Sequence, residues 1–321
     1  MNEFSFIEYL KRQVPRVKHV PVGIGDDAAV IDVSAGKRLV VSTDAIVEGV
    51  DFTIHQGAKH PRAPGTLMSP GQIGRKALAI NLSDMAAMGA KPVAFVITVG
   101  KPAYISTAWL KHFYGGLLKL ARRYDVACAG GDFSSAKEMF ASVTILGEVL
   151  PRHCVTRSGA MAGDWIAVTG ALGGSILRHH HDFSPRVCEG LFLAHHITPT
   201  AMIDVSDGFV QDLSHILKAS GVGAVLELEG IPVSSDAKRM AKGDRDKALA
   251  MALSDGEDFE LLFTVPPWRK VMLEKLWKKE FPKVRLSWVG KIRGKTPVVT
   301  WQRNGKNIPK PKLYHKGFSH F

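Results

Sequence analysis

The sequence predicts an α/β protein with mixed sheets, arranged as two domains over residues 1–150 and 151–321. Three observations carry this expectation. The chain has 321 residues, more than one ordinary domain holds and about right for two. Its residues are 45% apolar and 22% charged, which is enough apolar material for two cores. Along its length, β-branched apolar runs alternate with segments of helical period.

In chain order, residues 4–14 read as an amphipathic helix, with Phe6, Ile7, Leu10 and Val14 near one face. A glycine-rich acidic turn at 23–27 precedes short β-like runs at 28–33 and 39–42. Residues 55–72 are rich in Pro and Gly without hydrophobic period, the pattern of a mobile surface insertion. Leu78, Leu82, Met85 and Ala86 predict a helix over 73–88, with Gly89 as its C-terminal cap. A buried strand at 93–99, a helix at 108–124 and strands at 126–129 and 141–149 complete the first domain. The second half opens with Arg157-Ser158-Gly159 and a strand at 164–169. The glycine-rich segment 170–175 then enters a helix. A strand at 201–205, a helix at 208–219 and strands at 225–228 and 259–265 follow.

Composition excludes several classes. No stretch approaches the roughly 20 apolar residues that span a bilayer, and residues 1–6 lack the order of a signal peptide, so the expected setting is the cytoplasm. Cys128, Cys154 and Cys188 form no paired motif and read as small buried hydrophobes; Met85, Met88 and Met161 read as core packing. The net charge of +12 is spread out, with no nucleic-acid-binding motif, so it speaks for solubility and steering of anions rather than for nucleic acid. The triple histidine at 179–181 has no spaced metal partner and reads as a solvated loop.

The chemical signal lies in the aspartates, which repeatedly end apolar strands or stand beside glycines. The cases are Gly25-Asp26-Asp27, Ser42-Thr43-Asp44, Ser83-Asp84, Gly130-Gly131-Asp132 and Asp204-Val205-Ser206-Asp207-Gly208. A carboxylate costs several kcal/mol to desolvate unless it is paired or metal-bound. Acidic groups flanked by buried segments therefore ask for a cation, and carboxylate and hydroxyl oxygens suit a hard one such as Mg²⁺. Glycine pairs at 23/25, 130/131 and 173/174 could each let backbone N–H groups approach a phosphate. No Walker A sequence and no protein-kinase signature occurs, so phosphoryl transfer here would need another fold.

Nine collinear stretches together resemble the thiamine-monophosphate kinase family. They are Gly-Ile-Gly-Asp-Asp-Ala-Ala at 23–29, Val-Ser-Thr-Asp-Ala-Ile-Val-Glu-Gly-Val at 41–50, Lys-Ala-Leu-Ala-Ile-Asn-Leu-Ser-Asp at 76–84 with its continuation to 90, and Gly-Gly-Asp at 130–132. The others are Thr-Arg-Ser-Gly-Ala at 156–160, the strand at 164–170, Ile-Asp-Val-Ser-Asp-Gly at 203–208, Gly-Glu-Asp-Phe-Glu-Leu at 256–261 and Lys-Gly-Phe-Ser-His-Phe at 316–321. The resemblance implies a homodimer whose N-terminal sheets pack into a barrel-like core, a sandwich-like C-terminal α/β domain, and ATP in a cleft between the domains. By position it implies metal ligands at Asp27, Ser42, Thr43, Asp44, Asp84, Asp132 and Asp204, with Asp207 holding a further ion. Gly131, Asp132, Arg157 and Ser206 would contact the nucleotide, and Glu257 and Phe318 the thiamine moiety. The implied reaction is direct in-line transfer of the γ-phosphate to thiamine monophosphate, dependent on several Mg²⁺ ions and needing no covalent intermediate.

The chain departs from the family where a His usually follows the Glu-Gly segment. Asp51 stands there and is taken as a substitute substrate contact. A sister enzyme with another acceptor is the first alternative. The selenophosphate synthetase and hydrogenase-maturation variants would need a cysteine near the N-terminal glycines or at the C-terminus, and this chain has neither. A non-catalytic nucleotide-binding regulator is the second; it would be expected to have lost aspartates that are all present here.

Overall fold

The computed structural model describes residues 20–23, 25–33, 36–54 and 67–311. The expected helix at 4–14, most of the loop at 55–72 and Phe318 lie outside the described residues. Among the described residues, strands β1 (Ala29–Asp32), β2 (Arg38–Val47), β3 (Lys91–Lys101), β4 (Ala127–Ser135) and β5 (Phe140–Val149) form a five-stranded sheet in the order β1-β2-β5-β3-β4. All its pairings are antiparallel except β3 with β4. β5 alternates between half-buried and buried along its whole length, the period of a strand with one face on a core. The sheet is open within one chain.

Helix α1 (Pro70–Ala87) begins three residues earlier than predicted. Ser69 and Gln72 close a reciprocal capping box, and Pro70 occupies the first turn, where its missing N–H costs nothing. The helix ends as expected. Gly89 takes φ +63°, and the Ala90 N–H reaches back to the Met85 carbonyl. α1 is buried almost all round because it touches helix α2 (Thr107–Arg123) on one side and both sheets on others. The two helices approach to backbone contact. A Cβ on Gly74 would overlap the Phe113 carbonyl, and one on Gly116 would overlap Gly71.

The second half builds a seven-stranded sheet in the order β12-β11-β8-β10-β6-β9-β7. Its strands are β6 (Trp165–Thr169), β7 (Ala201–Asp204), β8 (Gly223–Glu227), β9 (Leu261–Val265), β10 (Leu286–Arg293), β11 (Val299–Arg303) and β12 (Lys306–Ile308). The last three were not anticipated; β10 threads between β6 and β8, so only long-range pairing creates it. Around the sheet lie α3 (His179–Asp182), α4 (Val187–Phe192), α5 (Phe209–Ser220), α6 (Ser235–Met240), α7 (Arg245–Ser254) and α8 (Lys270–Glu280). One apolar core runs from Leu78, Leu82 and Met85 of α1 through Met202, Leu261 and Phe263, so α1 welds the sheets together. A second core lies between α5 and the other face of the seven-stranded sheet. No described helix is long and apolar enough to cross a membrane.

Several expectations are corrected. Cys128 and Cys188 are exposed rather than buried, and all three cysteines are free thiols. Met85 and Met88 are core residues, but Met161 is exposed. The β4 strand runs straight through Gly130-Gly131-Asp132 instead of stopping before it, because β3 supplies a parallel partner along that length.

Candidate functional site

A cleft of about 960 Å³ opens between β2, α1, the end of β7 and the segment 255–259. Helical periodicity places part of its wall. Lys76, Ile80 and Asp84 stand four residues apart on α1, form one stripe, and all line the cleft. Strand alternation places another part, with Ser42 and Asp44 on the same face of β2. Asp204 is the last residue of β7, where the chain turns towards α5.

Three segments thus bring Asp27, Asp84 and Asp204 together, with carboxylate oxygens within 4.8 Å of one another. Ser42 donates a hydrogen bond to Asp84 at 2.5 Å, and Ser83 to Asp204 at 2.6 Å. Arg157 grips Asp27 with two parallel bonds of 3.0 Å, and its backbone N–H reaches Asp26. Burial, reinforced by Asp44, Asp204 and Asp27, holds the Asp84 carboxyl well above its usual range. Burial and then Asp27 do the same to Asp204. Asp26 is pushed up to about 7 by burial and then by Asp27. Burial works against the charge of Arg157, but Asp27 and Asp26 outweigh it and raise its affinity for the proton. The pocket floor therefore crowds more carboxyl groups than Arg157 neutralises, and their raised affinity for the proton is the consequence. An all-oxygen donor set of this kind fits a hard divalent cation such as Mg²⁺.

Beside Asp207, expected from the sequence to hold a further ion, stand two residues that the sequence reading missed, Asp212 and His215. Asp207, Asp212 and His215 approach within 4.8 Å, and the Asp212 carboxylate accepts the backbone N–H groups of Asp207 and Gly208, both at 3.1 Å. Asp212 thereby closes the entry to α5, a role its place four residues after Gly208 could have signalled. Burial, then Arg157, lowers the His215 pKa to about 4, so its imidazole is neutral.

At the other end of the cleft, Lys76 is 1% exposed, and its ammonium reaches Glu257, the Asp51 carbonyl at 3.2 Å and His180 Nδ1 at 3.3 Å. Asp51 lines the cleft, but one carboxylate oxygen accepts the Val47 N–H at 2.8 Å and so caps the 47–51 turn. The histidines of α3 are not a solvated loop. His180 and His181 are buried, and His179 Nε2 sits 2.9 Å from the Asp258 carbonyl. The glycines at 173 and 174 do not cradle a phosphate. Their N–H groups are taken by the carboxylates of Asp258 and Asp255, which lash the 255–260 segment to the 170–175 turn.

Of the residues singled out in the sequence, Asp27, Ser42, Thr43, Asp44, Asp51, Asp84, Arg157, Asp204, Ser206, Asp207 and Glu257 all line this cleft. Thr43 faces β5 with its hydroxyl, which lies 3.1 Å from the Val143 carbonyl and 3.0 Å from Thr144. Gly131 and Asp132 are not brought into it. They sit on exposed β4, where Asp132 is in register with Thr98 of β3, Ser142 of β5 and Ala45 of β2. Three strand spacings, about 14 Å, therefore separate Asp132 from the cleft wall at β2.

Residues 25–149 match the family described as AIR synthase related protein, N-terminal domain. The chain is 41% identical to the thiamine-monophosphate kinase of Rhodopirellula baltica over 99% of this chain and 97% of that one. It is 33% identical to that of Escherichia coli K12, over 100% of this chain and 98% of the relative. It superposes on the structure of AaThiL complexed with AMPPCP and TMP with a TM-score of 0.80 at 26% identity, covering 100% of this chain and 97% of the other. Full-length identity at this level, on a fold with converging buried carboxylates, means that the chain belongs to the thiamine-monophosphate kinase family.

Proposed function

We propose that this protein transfers the γ-phosphoryl group of ATP directly onto the phosphate of thiamine monophosphate, yielding thiamine diphosphate and ADP. The observation that carries this is the meeting of Asp27, Asp84 and Asp204 from three segments at the floor of one cleft. The relatives named above and the AMPPCP and TMP bound to AaThiL support the choice of substrates. Asp27, Asp84 and Asp204 would hold Mg²⁺, with Ser42, Thr43, Asp44 and Asp207 as further proposed ligands; Asp132, expected among them from the sequence, lies too far from this cleft to join them. When bound, the ion supplies charge neutralisation between two anionic reactants.

The chain's own groups do the rest. Arg157 lines the cleft beside the carboxylates and is placed to pair with phosphate oxygens. Together with Ser206 it forms the proposed nucleotide contacts; Gly131 and Asp132 stand outside this cleft. Glu257 presents a carboxylate to the cleft, the complement of the fixed positive charge on a thiazolium ring. No side chain has to act as base, because a phosphate monoester is largely ionised near pH 7. Phe318, outside the described residues, and Asp51 complete the proposed acceptor contacts. We further propose a boundary near residue 150 between two domains, and a homodimer formed across the five-stranded sheet, where Val93, Val96 and Phe133 are exposed. The three free thiols agree with a reducing, cytoplasmic setting.

The test is direct. Purified protein with Mg²⁺, ATP and thiamine monophosphate should give thiamine diphosphate and ADP in equal amounts, followed by chromatography. ADP formed only with another acceptor overturns the substrate. Inversion at a chiral γ-phosphorus is expected; retention overturns direct transfer.

A further inference from the structure

The triple-histidine run at 179–181 has no part in the chemistry above, yet it is anchored at every residue. His179 holds the Asp258 carbonyl, His181 Nδ1 lies 3.3 Å from Gln72 Nε2, and His180 is fully buried against Lys76. α3 thus ties the start of α1 to the 257–258 segment. Its centre is the Lys76 ammonium. An ammonium has three N–H donors and no acceptor. Here it meets three acceptors: the Asp51 carbonyl, His180 Nδ1 and a Glu257 oxygen. Full satisfaction makes so buried a charge tolerable, and it requires the His180 ring to accept at Nδ1 and carry its proton on Nε2.

Glu257 is held by its backbone as well. It sits at φ +62°, a left-handed conformation that strains a non-glycine residue. Its N–H donates to the Ser206 carbonyl at 2.7 Å. The second carboxylate oxygen lies 3.7 Å from His180 Nδ1, and the side chain remains 33% exposed on the cleft side. A surface glutamate would sample many rotamers; this one is tethered at both ends and still open to a ligand.

We propose that Lys76 and His180 are positioning residues that fix the Glu257 carboxylate to receive the cationic end of the phosphate acceptor. The proposal deepens the substrate reading above and rests on it. His180 acts through Lys76, whose third donor it occupies. Without that acceptor the ammonium swings to satisfy itself and carries Glu257 with it.

The test uses steady-state kinetics with both substrates varied, on the full chain, for His180→Leu, His180→Asn and Lys76→Met. His180→Leu should raise KM for thiamine monophosphate about tenfold or more, the range set by a hydrogen bond to a charged group, with KM for ATP within about twofold of wild type. His180→Asn, whose amide oxygen can accept from Lys76, should recover most of the loss. Lys76→Met combined with Glu257→Gln should be no worse in KM than Glu257→Gln alone, since the lysine works only through that carboxylate. An unchanged KM for thiamine monophosphate in His180→Leu overturns the proposal, as does an equal rise for both substrates. Should His180→Leu fold poorly, the Lys76 and Glu257 cycle decides, and additive effects there overturn it. A wild-type protein inactive on thiamine monophosphate overturns the function itself; an active wild type with indifferent variants overturns only this inference.

Discussion

Replacing Arg157 with leucine removes the cation nearest the acidic floor of the cleft. The Asp27 side chain is 1% exposed, and both its oxygens accept from Arg157. Asp84 and Asp204 lie within 4.8 Å and are carboxyl groups themselves, so neither replaces the lost guanidinium as a counter-charge for Asp27. Breaking a buried pair while leaving the anion in place costs about 3–5 kcal/mol. At about 2.1 cal/mol/K of unfolding entropy per residue, a chain of 321 residues converts this into a fall of about 4–7 °C in Tm. Scanning calorimetry in chelator should show that fall. Mg²⁺ should then narrow the gap, because in the variant the ion no longer competes with a guanidinium for Asp27. Saturation a hundredfold above Kd contributes about 2.7 kcal/mol, or about 4 °C here. A metal-free Tm equal to wild type, or a gap indifferent to Mg²⁺, would refute the claim that Arg157 substitutes for a cation.

Further outcomes follow from the same charges. Asp204→Asn should lower turnover roughly a thousandfold, the equivalent of several kcal/mol of lost charge stabilisation, yet leave the metal-free Tm unchanged or higher, because Asn still accepts from Ser83; wild-type turnover would show the ligand set to be wrong. Metal-free stability should fall as pH rises. Asp26 binds its proton up to about pH 7 when folded but only to about 3.8 when unfolded, so its contribution is complete below pH 4 and gone above 7, and raised Asp84 and Asp204 act in the same direction. Mg²⁺ needs the ionised carboxylates and should flatten that slope; a higher metal-free Tm at pH 8 than at pH 6.5, above the range in which the lowered His215 acts in the opposite sense, counts against it. Asp51→Ala should cost about 1 kcal/mol of stability through loss of the bond to the Val47 N–H, measured by denaturant titration. An unchanged midpoint with a raised KM for thiamine monophosphate would restore Asp51 to a purely substrate-binding role.

The sequence by itself determined the α/β class, the helix at 73–88 with its Gly89 stop, and most strands of the five-stranded sheet, because local periodicity and turn chemistry decide those. It also pointed to a cation beside the aspartates flanked by apolar strands, since desolvation is costly for those the fold buries. What it could not decide is which side chains meet. Lys76 and His180 lie 104 positions apart and Lys76 and Glu257 181 apart, so their convergence follows only from α1 packing between two sheets. The glycines at 173 and 174 look like a phosphate cradle in isolation, and only the arrival of Asp255 and Asp258 shows that their N–H groups are already taken. Asp132 has the residue type and glycine neighbours of the other candidate ligands, yet strand order sets it on the exposed edge, away from them. Periodicity is a property of neighbours along the chain; a site is a property of neighbours in space.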